Sequence, residues 1–174
     1  MDKLLVFVLV TAGLLLLSRR ALRDPRHHGF YRFFLFETIL ILILNNTGSW
    51  FREPFSPLQI LSWVLLLGSL LLAVHGFYLL RTAGKPAGDI EATTVLVTRG
   101  AYRYIRHPLY CSLLLFAVGV YLKSPSLVDA SFVVVVLAFA IATARVEEAE
   151  NLQRFGPIYA AYMKTTKMFI PYIL

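Results

Sequence analysis

Only one cysteine, Cys111, occurs in the 174 residues, so an intrachain disulfide is excluded. Cys111 sits in an apolar run and reads as a small packing residue. A reactive thiol would need a partnered base, and His107, four residues earlier, is the nearby candidate. No internal repeat is visible. Gly84-Lys85-Pro86-Ala87-Gly88 lacks the phosphate-loop spacing and the following Ser or Thr, so it reads as a plain loop. The pair His27-His28 is accompanied by no cysteine and no paired carboxylate. Adjacent side chains are expected to point to opposite sides, so no metal site is expected. The net charge of +7 is attached to no separate soluble, basic domain, so nucleic-acid binding is not expected.

What the chain has in abundance is apolar surface. Hydrophobic residues make up 58% and mean hydropathy is +0.69, above the usual share of a soluble domain. The length suits a single domain, 1–174. The expected fold is all-α: a polytopic membrane protein with about five crossings. They are placed at roughly 3–18, 31–50, 57–80, 108–122, and from 126 into the 140s, the last helix continuing past its apolar part through 144–155. The first run ends in Ser18-Arg19-Arg20 with no small-x-small cleavage pattern, so it is expected to be a retained helix. The linker Lys123-Ser124-Pro125-Ser126 is short enough to force helices four and five into an antiparallel hairpin. Residues 152–163 look like a short interfacial helix, broken near Gly156-Pro157.

Five crossings separate the cations sharply. Of the 17 lysines and arginines, only Lys3, Arg52 and Lys123 fall on one side, and the rest fall on the other. The crowded side is expected to be cytoplasmic, which puts the N-terminus outside and the C-terminus inside.

On that inner side lies RGAYRYIRHPLY, residues 99–110. Pro108 suits the first position of helix four, because its missing N–H costs nothing there. The first turn then offers free N–H groups and a positive dipole end to an anion. Arg103 and Arg106 add charge, and Tyr102, Tyr104 and Tyr110 add flat faces and hydroxyls. Arginine and tyrosine also gather at ordinary membrane interfaces, so the block alone does not define a site. A second cluster closes helix five: Arg145, Glu147, Glu148 and Glu150. Carboxylates beside an apolar helix are costly unless used or paired. Glu147, Glu150 and Arg154 share one helical face; Arg145 and Glu148 share another and could be a surface salt bridge. The hairpin brings this cluster beside the start of helix four, so a ligand with both negative and positive groups, such as an amino-acid moiety, would suit the junction. Glu37, inside helix two, reads as a substrate-tunnel group or as a partner of Arg32 or of another helix. His75, in helix three, reads as a hydrogen-bonded packing residue.

The combination resembles the isoprenylcysteine carboxyl methyltransferase family and, more distantly, phospholipid methyltransferases. The pattern G-x-Y-x-x-x-R-H-P-x-Y is met at Gly100, Tyr102, Arg106, His107, Pro108 and Tyr110. E-E follows at Glu147-Glu148, then F-G-x-x-Y-x-x-Y at Phe155, Gly156, Tyr159 and Tyr162, and a late proline at Pro171. The motif-bearing stretch runs over about 94–171. The resemblance implies S-adenosylmethionine as methyl donor, S-adenosylhomocysteine as product, and a small prokaryotic type of enzyme, such as an archaeal one. It implies cofactor contacts from Thr94, Val95, Leu96 and Val97, from Gly100, Tyr102 and Tyr104, from His107 to Tyr110 including Pro108 and Leu109, and from Glu147 and Glu150. Arg106 would steer an acceptor carboxylate, and Glu148 or Glu147 would take a proton from an amine acceptor. The acceptor would be a lipophilic or lipidated molecule arriving from the bilayer, and the working expectation is a monomer among membrane lipids. One family arginine, four residues before the cofactor glutamate, is Thr143 here, with Arg145 nearby. Two other readings are an NADPH-dependent membrane sterol or lipid reductase and a non-enzymatic lipid-binding membrane protein. The reductase pattern continues with asparagine before the tyrosine and an acidic residue soon after. Leu109 and Cys111-Ser112 stand there instead, which favours methyl transfer.

Overall fold

The computed structural model describes residues 2–88 and 93–173. Six α-helices follow one another: α1 Lys3–Ser18, α2 His28–Asn46, α3 Pro57–Thr82, α4 Pro108–Tyr121, α5 Leu127–Phe155 and α6 Pro157–Thr165. Short 3-10 turns at Ala21–Arg23, Thr47–Ser49 and Gly100–Arg103 join them. The regions opening at α2, α3 and α5 are long and apolar enough to cross a membrane, while α1 and α4 are shorter apolar helices. This is the polytopic, all-helical membrane architecture expected from the hydropathy. α4, at 14 residues, is about 21 Å long, short of a hydrocarbon core of about 30 Å. Its basic-side end therefore begins below the level reached by the 29-residue α5.

α3 packs mainly on α4, and α2 on α5. Small residues allow the first of these approaches. A Cβ on Gly119 would come within 2.9 Å of Leu66, and one on Gly76 within 3.1 Å of Leu109. The Ser62 hydroxyl donates to the Gly119 carbonyl at 2.6 Å, satisfying in hydrocarbon a group that has no water to turn to. Leu35, Leu42, Ala117, Val120, Val136 and Ala140 form the fully buried centre. No residue of α1 is buried, so α1 is a peripheral helix against α2.

Two elements, α2 and α6, differ in their bounds from the sequence expectation. α2 starts at His28 rather than 31, because His27 Nδ1 accepts the Gly29 N–H at 3.0 Å and caps the helix. It ends at Asn46, and the 3-10 turn takes up the following residues. α5 runs through Phe155 as expected, and Gly156, at φ +56° and ψ −131°, makes the corner, so that α6 begins at Pro157 rather than at 152. Glu37 pairs with another helix, one of the expected alternatives: its Oε2 accepts the Thr11 hydroxyl at 2.8 Å, joining α2 to α1.

Candidate active site

The site grows from the first turn of α4. Pro108 occupies its first turn, and His107 before it has φ −124° and ψ 63°, with no side chain capping the helix. The preceding strand-like segment is held from behind. The Arg106 N–H donates to the Lys167 carbonyl at 2.7 Å, and the His107 N–H to Met168 at 3.2 Å. Gly100 makes the turn before it, at φ +59°, where a Cβ would lie 2.5 Å from His75 Nε2. No larger residue fits there. His75 accepts the Ala101 N–H at 3.4 Å, so the expected hydrogen bond is present, although the residue is exposed rather than packed inside.

The end of α5 faces this turn across a cavity with about 550 Å³ of free space counting its open mouth. The Tyr110 hydroxyl donates to Glu147 Oε2 at 2.7 Å. His107, only 4% exposed, has Nε2 3.1 Å from Glu148 Oε1, and Nδ1 3.9 Å from Glu147 Oε2. Arg106 Nε donates to Glu148 Oε1 at 2.6 Å, and its Nη1 donates to the carbonyls of Met163 and Thr166. The α4 start and the α5 carboxylates therefore lie side by side.

Of the residues singled out in the sequence, Leu96, Val97, Tyr102, Arg106, His107, Leu109, Tyr110 and Glu147 line this cavity. Pro108 is fully buried beneath it against α3. Thr94, Val95 and Tyr104 are exposed and lie outside the lining; the Tyr104 ring lies near Arg103 instead. Gly100 shapes the turn without lining the cavity. Glu148 is buried behind the wall, committed to Arg106 and His107 rather than to Arg145, which is exposed. Glu150, one turn on from Glu147, does not line the cavity: it reaches α2, accepting the His28 N–H at 3.1 Å. Thr143, where the family has an arginine, is fully buried and donates to the Phe139 carbonyl of its own helix at 2.7 Å.

The lining also contains Leu80, Thr93, Asn151, Phe155, Tyr159 and Tyr162. Phe155, Tyr159 and Tyr162 matched the family pattern but had no assigned role. Asn151 was missed, although it stands four residues after Glu147 and so one turn further along the same face. Leu80 and Thr93 carry no sequence signal that would single them out. Burial, then the Glu148 and Glu147 charges, hold the Tyr159 hydroxyl above the usual tyrosine range, and burial raises that of Tyr162. Both phenols are thus neutral donors at the cavity wall.

The sequence model of the phospholipid methyltransferase family matches residues 58–157, from the start of α3 to the corner before α6. The chain belongs to this family. It is also 37% identical over 79 residues to protein-S-isoprenylcysteine O-methyltransferase A of Arabidopsis thaliana. That match covers 45% of this chain and 40% of the relative's length. The cavity is thus built by a membrane protein of a methyltransferase family, at the junction its motifs mark.

Proposed function

We propose that the chain transfers a methyl group from S-adenosylmethionine to a lipophilic acceptor in the membrane, the accepting group being a carboxylate. The observation that carries this reading is the meeting of the uncapped α4 N-terminus with Glu147 at one cavity. Opposite charges at that junction suit a zwitterionic amino-acid moiety. The α4 turn attracts its carboxylate, and Glu147 binds its ammonium or a ribose hydroxyl. Leu80, Leu96, Val97 and Leu109 offer an apolar wall to a flat base. The donor set therefore fits S-adenosylmethionine, which when bound supplies an electrophilic methyl on a sulfonium.

The chain's own residues supply positioning and dehydration. Tyr110 holds Glu147 in place, and the neutral Tyr159 and Tyr162 close the wall against water. A carboxylate acceptor is ionised already and needs no base. The setting of Glu148 favours such an acceptor, since its oxygen is engaged by Arg106 and His107 and does not line the cavity. Arg106 is held by the same contacts with part of its side chain at the wall, a fixed positive charge for the acceptor's carboxylate. The acceptor enters sideways: a groove of Ala73, Val74, Phe77, Tyr78 and Thr82 on the lipid face of α3 shares Leu109 with the cavity. On the basic, cytoplasmic side the soluble donor enters from water.

Calorimetry in detergent tests the donor. S-adenosylhomocysteine binds the native protein, and the heat disappears in Glu147→Ala and His107→Ala. Binding of NADPH alone in a parallel titration defeats the reading. Radiolabelled methyl transfer to prenylcysteines and isoprenoid acids, with amine phospholipids unlabelled, supports the carboxylate; the reverse pattern overturns it.

A further inference from the structure

A second cluster lies outside the cavity, where α2 begins. His27 and His28 do not diverge. Their rings stack with centroids 4.4 Å apart and 28° between planes. The cap explains this: His27 is still extended when its ring folds back to take the Gly29 N–H, which lays it over the ring of His28 in the first helical turn. Glu150 arrives from α5, 122 residues away in sequence, and sets Oε2 2.6 Å from His28 Nδ1. One ligand atom from each of the three residues lies within 4.8 Å of the other two.

We propose that His27, His28 and Glu150 bind a divalent transition-metal ion of the zinc type. Two imidazoles and one carboxylate form a borderline donor set suited to Zn²⁺ and Co²⁺ and unsuited to Mg²⁺ or Ca²⁺. Ligands at about 2.0–2.1 Å from a tetrahedral zinc stand roughly 3.4 Å apart. The spacing found is therefore reached by rotating side chains, without moving either helix; His27 has a single lone pair as a neutral imidazole, so it gives up the Gly29 N–H when it takes the metal. His28 is buried, Glu150 half-buried and His27 exposed, so the ion would be held on two sides and reached from water on the third. That leaves its fourth position to water. The three ligands come from two helices, so the metal would clamp the start of α2 to the end of α5, three residues beyond Glu147. None of these ligands lines the cavity, so this proposal stands apart from the methyl-transfer reading.

The test uses tag-free protein in detergent, titrated with Co²⁺ and read by its visible ligand-field absorption. One equivalent binds, Zn²⁺ displaces it, and Zn²⁺ raises Tm relative to chelator. His27→Asn keeps a capping acceptor while removing the imidazole. It and Glu150→Gln each weaken Co²⁺ binding by at least about tenfold, the lower bound even for losing an outer-shell partner. Far-ultraviolet circular dichroism and Tm measured in chelator on the same samples report that both variants are folded. Absence of one-equivalent cobalt binding in the native protein overturns the proposal. So does binding that survives either substitution at unchanged affinity, because the cluster is then only a capped histidine–glutamate pair.

Discussion

Glu147 Oε2 takes the Tyr110 hydroxyl at the cavity wall, whereas Glu148, one position on, turns inward to Arg106 and His107. A helix step of about 100° per residue is enough to place neighbours in different surroundings. The two carboxylates therefore fail differently. Glu147→Ala lowers S-adenosylhomocysteine affinity with little change in Tm. Glu148→Gln leaves Arg106 buried without its counter-charge and costs about 3 kcal/mol of stability. Thermal unfolding beside calorimetry separates the two, and equal loss of Tm in both would contradict the division. The adjacent pair was legible in the sequence because charge beside an apolar helix is expensive. The helical wheel did not reveal the partner of Glu150: it places a residue on a face but does not say what stands opposite. Here that is His28, whose position depends on a cap made by a residue outside the helix.

α6 shows the same contrast at the scale of an element. Its break at Gly156-Pro157 was readable, since proline cannot continue a helix and the corner needs a positive φ. Its docking was not, because that rests on long-range bonds. The Tyr162 hydroxyl donates to the Tyr102 carbonyl at 2.6 Å, and the segment after α6 runs beside Ile105 in a parallel bridge with Lys167. Tyr162→Phe removes the first contact, leaves a buried carbonyl short of a donor, and costs about 1 kcal/mol, read as a lower Tm. The raised tyrosines add a pH dependence. In the unfolded chain a phenol ionises near pH 10. In the folded protein Tyr159 and Tyr162 stay neutral beyond that. The unfolded state thus releases protons first, so the contribution of these groups is complete below about pH 10 and is lost as pH rises above it. Phenolate absorbance should show at least two tyrosines, Tyr159 and Tyr162 among them, that titrate only as the helical signal collapses. If all nine ionise together while the protein stays folded, the buried setting of the two is wrong.

Over the whole molecule, the apolar runs were legible because lipid imposes a length and a composition on each crossing. The gathering of the site at the basic end was legible too, because a short linker forces the α4–α5 hairpin. What ties the opposite end was hidden. There Lys123, only 4% exposed, places Nζ 3.6 Å from the centre of the Trp63 ring and 5.5 Å from that of Trp50. It donates to Gln59 Oε1 at 3.1 Å, while Gln59 Nε2 donates back to the Lys123 carbonyl at 3.0 Å. By sequence this lysine was one of three stray cations in a loop; in the fold it joins the end of α2, the start of α3 and the α4–α5 turn. Lys123→Ala removes a desolvated cation–π contact and a charged donor together, a loss of about 2 kcal/mol. The full length of α4 separates it from His107, so Tm falls while the affinity for S-adenosylhomocysteine stays at the native value. If affinity drops in step with Tm, the two ends are coupled through α4, and the cavity depends on helix packing well beyond the residues that line it.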